Sequence, residues 1–185
     1  AWQPERLVWA VLAAADSGAP GLAPLAAHLA ANDQRYANAL RVTRLFRRYA
    51  DHRPAMLAAW SADPDAAADA LGFDGWQVRL WAELHERVPA PDPVVRRADL
   101  ADAVASGATR VPWPAVHVFA PRRSTAAQRG LLAALARRVP VHVWLATTGP
   151  ADTANELARA LGRSAQQALA DWLSLAPEEV ALPAS

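Results

Sequence analysis

The sequence predicts a mostly helical α/β chain, with a helical subdomain over residues 1–110 and a partial α/β subdomain with a C-terminal helix over 111–185. Three observations predict it. Apolar residues recur at helical spacing through most of residues 4–106, whereas β-branched and aromatic runs come only later, as AVHVFA (115–120) and PVHVWLAT (140–147). Two proline-rich breaks, VPAPDP (88–93) and VPWP (111–114), interrupt the helical pattern.

Leu7, Val8, Val11 and Leu12 put one apolar face on a helix from Pro4 to Ala15, with Trp9 beside it, and Gly18, Pro20 and Gly21 end it. Leu22 to Ala31 is a second short apolar stretch containing His28. Asn32 or Asp33 caps the next helix, which runs through Arg48 or Tyr49 and stops near Pro54, because the residue before a proline is pushed out of the helical region. Pro54 to Trp60 begins another short helix, and SADPDAAADALGFDG (61–75) reads as an acidic connector. Trp76 to Val88 is helical, with Trp76, Leu80, Trp81 and Leu84 on one side. Beyond the proline break, Arg96 to Ser106 forms one more helix, which Gly107 terminates.

Between the two strand runs, STAAQRGLLAALARR (124–138) is a helix opened by a capping box of Thr125 and Gln128. Strand, helix and strand at this spacing form a βαβ crossover, so the strands should lie parallel, either adjacent or one strand apart. Two parallel strands are too few for a sheet of their own. Either further strands come from other segments, or the chain is part of a larger protein. A last helix is expected over Ala154 to Leu175.

Composition excludes several chemistries. The chain has 185 residues, 53% of them apolar, enough for a buried core. No apolar run reaches the roughly 20 residues that span a bilayer, and nothing resembles a signal peptide. Cysteine is absent, which removes disulfides and thiolate metal sites and fits a cytoplasmic address. All 19 basic residues are Arg. A P-loop, a Schiff-base site, an S-x-x-K hydrolase and a PD-(D/E)-x-K nuclease each need a Lys, so none can be complete here. The Arg and Ala richness fits the codon usage of a GC-rich genome. The histidines never take the i, i+4 spacing of a helical zinc site, and Asp63, Asp65, Asp69 and Asp74 read as a solvated loop. His117 and His142 read as a hydrogen-bonded pair on neighbouring strands. No catalytic residue and no metal site is expected.

Formal net charge is only +1, so any nucleic-acid footprint must be local. The densest basic stretch is RLFRRYADHRP (44–54). At 100° per residue, Val42, Leu45, Phe46 and Tyr49 form one apolar arc, and Arg41, Arg44 and Arg48 form an adjacent stripe. Spacing leaves two readings open: a solvated face, with arginines near the negative end of the helix dipole, or a surface that meets an anion. A second anion candidate is PRRST (121–125), where Arg122 and Arg123 lie between a strand's carboxyl end and a helix N-terminus.

Four stretches together resemble the RecC family, the gamma subunit of bacterial exodeoxyribonuclease V. They are LFRRYADHRPAMLAAW (45–60), WQVRLWAELHE (76–86), RRADL (96–100) and VHVFAPRRSTAAQRGLLAALARRVPVHVWLATTGP (116–150). The opening AWQPERLVWAVL is also similar, and NELARALGRSAQQAL (155–169) more loosely so. The resemblance implies a helical 1B-type insertion followed by a strand-helix-strand piece of a 1A-type domain, in an inactive superfamily-1 helicase-like body. Sheet partners would then precede residue 1. It further implies a non-catalytic, DNA-binding subunit acting in double-strand break repair and recombination. Such a subunit holds RecB-like and RecD-like partners, which use ATP and Mg, and guides the 3′ single strand. The positions carried over to the strand path are Leu45, Arg53 and Arg97, with Arg44, Arg47 and Arg48 adding a salt-sensitive attraction. The family often has acidic residues around Leu-Phe, where this chain has Arg44 and Arg47, a departure that leaves phosphate attraction and weakens the case for sequence readout.

For individual residues, alternatives stay open. Arg53 reads equally as a phosphate contact or as a cap at the turn into Pro54. Phe46 reads as core, Tyr49 as core or as a stacking ring, and Trp60, Trp76 and Trp81 as core. Two other functions compete: an interaction module that contacts partner subunits without DNA, and a separate α/β domain that binds a phosphate at PRRST.

Overall fold

The computed structural model describes residues 1–31, 33–119, 124–145, 163 and 167–173. Two compact units divide the chain, Ala1–Ala98 and Asp99–Ser185. The first is helical: α1 (Pro4–Asp16), α2 (Ala23–Ala30), α3 (Arg35–His52), α4 (Pro54–Ala62), α5 (Pro64–Leu71), a 3₁₀ turn over Gly72–Gly75, and α6 (Trp76–Arg87). The next helix, α7 (Pro93–Ser106), carries the unit boundary within it. Proline opens α1, α4, α5 and α7, at the position where its missing N–H removes no helical bond.

Three boundaries differ from expectation, each for a local reason. The acidic stretch after Ser61 is helical and not a connector. Asp63 accepts a hydrogen bond from the Ala66 N–H at 3.0 Å, Pro64 follows at the first position, and the alanines beyond are the best helix formers. Pro93 likewise starts a helix instead of completing a break. The Asp92 carboxylate accepts from the Val94 and Val95 N–H groups at 2.6 and 3.2 Å, satisfying donors that a helix start leaves unpaired. Finally, α3 begins at Arg35 after Gln34, not after Asp33, and it continues to His52.

The core of this unit collects around Trp81, whose side chain is 1% exposed. Its ring stacks on Phe46 at 5.5 Å and meets Trp2 at 5.2 Å, and its indole N–H donates to Ser61 Oγ at 2.9 Å. Val8, Val11, Leu57, Val78, Leu80 and Leu84 fill the space around it, all fully buried. Tyr49 closes the cluster, edge-on to Phe46 and Trp60, with its hydroxyl donating to Gln77 Oε1 at 2.9 Å. Both rings of the apolar arc on α3 are therefore committed to packing, and that fixes which face of α3 meets solvent.

In the second unit, β1 (Val116–Phe119), α8 (Ala126–Ala136) and β2 (Val141–Trp144) form the expected crossover. The strands are adjacent and parallel, pairing Val116 with Val141 and Phe119 with Trp144. The capping box is present: Thr125 Oγ1 accepts from the Gln128 N–H at 3.1 Å, and Gln128 Oε1 accepts from the Thr125 N–H at 2.9 Å. Valines face one side of the two strands, half-buried, and α8 lies against β2. The other side exposes His117, Phe119 and His142 and part of Trp144. His117 and His142 are not hydrogen-bonded to each other but stacked at 4.8 Å, and His117 Nδ1 accepts instead from the Trp144 indole at 3.2 Å. Arg122 and Arg123 lie outside the described residues, as does most of the expected final helix, of which 167–173 is helical.

Candidate nucleic-acid interface

Because Phe46 and Tyr49 anchor one side of α3 to the core, the opposite side presents Arg41, Arg44, Arg47 and Arg48 to solvent. Together they line a shallow depression of about 460 Å³. These side chains differ in what holds them. Arg41 donates to Asn38 Oδ1 at 2.9 Å, and Arg47 pairs with Asp51 at 3.4 Å. Among the described residues, Arg44 and Arg48 have neither an ion pair nor a side-chain hydrogen bond. They sit four residues apart on one helix, an arrangement in which like charges repel. Since α3 continues to His52, Arg47 and Arg48 stand upstream of its last turn, where the helix dipole has little hold on them.

The carried-over positions separate in the same way. Arg53 is both the end of α3 and the start of α4, with φ −135° and ψ 51°. Its N–H donates to the Tyr49 carbonyl at 2.7 Å, and its carbonyl accepts from Met56 at 3.1 Å. The cap is thus made by backbone alone, and among the described residues the exposed guanidinium has no partner. Arg97 is the reverse case. From α7 it donates to the Ala50 carbonyl at 2.9 Å and pairs with Asp51, so its guanidinium is already engaged at the end of α3.

Leu45 lines a second, larger groove of about 660 Å³, which shares Arg41 and Arg48 with the arginine depression. Its apolar lining includes Val42 from α3 and Leu25 from α2, together with Phe73 and Trp76. Trp76 is only half-buried, unlike Trp60 and Trp81, so one part of its ring packs on the core while the groove takes another. Phe73 is 83% exposed. Gly72 sets it there: its φ of +54° is a conformation that costs other residues, and at Gly75 a Cβ would lie 2.5 Å from the Ala68 carbonyl oxygen. The Gly-x-x-Gly frame around Phe73 is the sequence signal for this placement.

Among the described residues no cluster of His, Asp and Glu could hold a metal ion, and no helix is long and apolar enough to cross a membrane. What the surface offers is positive charge beside apolar rings, the pairing that suits a single-stranded polyanion.

Residues 1–174 match the family described as RecC, N-terminal domain. A RecBCD enzyme subunit RecC of Mycolicibacterium smegmatis is 34% identical over 164 residues, covering 82% of this chain and 14% of that protein. One from Mycobacterium tuberculosis is 35% identical over 157 residues, covering 78% of this chain and 14% of its own. The chain thus spans 14% of the length of the relatives it matches. No solved structure matches it. On a match that takes in nearly all of its residues, the chain belongs to the RecC N-terminal domain family.

Proposed function

We propose that this chain is the strand-guiding part of a RecC-type subunit in an ATP-dependent helicase and exodeoxyribonuclease of double-strand break repair and recombination. It does no chemistry itself. Partner subunits of RecB and RecD type use ATP and Mg, and this chain holds the 3′ single strand and helps to scaffold them in the cytoplasm. On this reading residues 1–110 form a 1B-type insertion and 111–185 part of a 1A-type domain of a helicase-like body with no nucleotide site of its own. Arg122 and Arg123 would add a phosphate contact there.

One observation supports the proposal: Arg44, Arg48 and Arg53 are exposed and without acidic partners among the described residues, on the helix and turn that include LFRRYADHRP, part of one of the stretches that resemble the family. Like charges held together on a rigid helix are stabilised when a phosphate backbone neutralises them and releases its counterions. Anisotropy of a labelled single-stranded oligonucleotide, titrated with the chain at several salt concentrations, tests it. The logarithm of the affinity should fall linearly with log salt, with a shallower slope when Arg44, Arg48 and Arg53 are replaced by Ala. Absence of binding at low salt by the folded chain would remove the DNA role.

A second reading is an interaction module that contacts partner subunits without DNA. It is favoured by Trp9 and Tyr36, 64% and 45% exposed, whose rings meet at 5.7 Å on the surface of α1 and α3. Exposed aromatic pairs of this kind are common anchors of protein interfaces.

A further inference from the structure

We infer that the turn between α5 and α6 is a docking knob for a protein partner of the assembly, a subunit that receives Phe73 and Leu71 in an apolar socket edged by arginine or lysine. The inference rests on the scaffolding part of the reading above and gives it a surface. Phe73 is 83% exposed, the most of any large apolar side chain described, and Leu71 is 43% exposed. They stand on either side of Gly72. Exposed apolar side chains scattered singly are ordinary, but two on one knuckle of backbone make a contact surface. Aromatic side chains are the usual anchors of such surfaces, so Phe73 is the anchor and Leu71 widens it.

The exposure does not come from a loose segment. The 3₁₀ turn runs directly from α5 into α6, and the close approach of Gly75 to the Ala68 carbonyl leaves it little room to move. An apolar side chain already fixed in place loses little conformational freedom on binding. Charge then selects the partner. Asp69 and Asp74 flank the two apolar residues in sequence, and both are exposed. Among the described residues neither carboxylate has an ion pair or a hydrogen bond, whereas Asp63 caps α5 and Asp65 pairs with Arg79. A phosphate backbone would be repelled by these two acids. A protein surface with basic side chains around an apolar socket meets both features at once, the carboxylates with its edge and Phe73 with its centre.

The test titrates the full 185-residue chain, by biolayer interferometry, with the RecB-type and RecD-type subunits of the same genome, each alone. Replacing Phe73 by Ala touches a side chain outside the core, so the fold is retained, which circular dichroism checks. The expected result is binding of one subunit that weakens roughly tenfold or more with Phe73→Ala and recovers with Phe73→Leu. Asp69→Asn with Asp74→Asn should weaken it less and flatten its dependence on salt. Absence of binding to either subunit would overturn the knob, and so would binding that Phe73→Ala leaves unchanged. Self-association of the chain that Phe73→Ala abolishes would put a second copy on the turn and overturn the assignment to a partner subunit. Single-stranded DNA is titrated alongside. Subunit binding without DNA binding would leave the knob standing while the strand-guiding reading falls.

Discussion

Arg97 ties α7 to the end of α3 through Asp51, and the same carboxylate also accepts from Arg47, so one acid holds two arginines. This sharing sorts the basic residues of the region. Arg97 and Arg47 are paired with a carboxylate of the chain itself, whereas Arg44, Arg48 and Arg53 have no acidic partner among the described residues. Arg97 further caps α3 by donating to the Ala50 carbonyl, one of the acceptors that a helix end leaves open.

Arg97→Ala should therefore act mainly on stability. The side chain is about one-third exposed, which weakens the ion pair, so the expected loss is about 1 kcal/mol, most of it from the carbonyl contact. Denaturant unfolding measures it. Affinity for single-stranded DNA should change less than it does for Arg44→Ala. A large loss of affinity with an unmoved unfolding midpoint would show instead that Arg97 leaves Asp51 to meet the strand.

Arg44→Ala and Arg48→Ala should do the opposite. Neither side chain has a partner among the described residues, and each is relieved of a like-charged neighbour when the other is removed. Stability should stay within about 0.5 kcal/mol of the parent, as for substitutions away from packed features. The log-salt slope of DNA binding should become shallower by about 0.7 for each arginine lost, the value for single strands. A destabilised variant with an unchanged slope would return the stripe to a structural role.

How much of this was legible in the sequence depends on how far apart the interacting residues lie. The phase of α3 was readable because Phe46 and Tyr49 repeat at helical spacing, and they do pack inward. The box of Thr125 and Gln128 was readable because its partners lie three residues apart, and the parallel strands because a strand, helix and strand in direct succession allow little else. By contrast, the helix after Asp63 was hidden by its charge: Asp and Pro suggest a loop when counted, and a capped helix start when taken in order. The difference between the engaged Arg97 and the unpaired Arg44 was not readable at all, since it depends on a contact spanning 46 positions. Phe73 escaped for a related reason, because its exposure follows from the backbone of Gly72 and from what Gly75 packs beneath.

The last prediction concerns pH. His85 is 2.9 Å from Asp92 through Nε2 and 2.9 Å from the Trp81 carbonyl through Nδ1. Both partners are acceptors, so only the doubly protonated imidazolium can donate to both. The hydrogen bond to Asp92 raises the pKa of His85 above its ordinary 6.5, against the opposing effect of burial. For Asp92, burial alone would raise the pKa. The hydrogen bonds from His85 and from the Val94 and Val95 N–H groups outweigh it and hold the carboxyl below its ordinary 3.8. The signs then follow from linkage. His85 contributes stability that is fully present below 6.5 and is lost as pH rises through its raised folded-state value. Asp92 contributes stability that is present above 3.8 and is lost as pH falls through its lowered value. The pair is therefore most effective between those limits. Raising the pH from about 6 to about 9 should cost about 1 kcal/mol or less, after discounting for a His85 side chain that is 32% exposed. Asp92→Asn keeps an oxygen to cap α7 but removes the charge, so the chain should still fold while that pH dependence disappears. Urea unfolding midpoints across this range check both statements. A flat profile in the parent chain, or an equal slope in the Asn variant, would mean that His85 and Asp92 do not titrate as a pair.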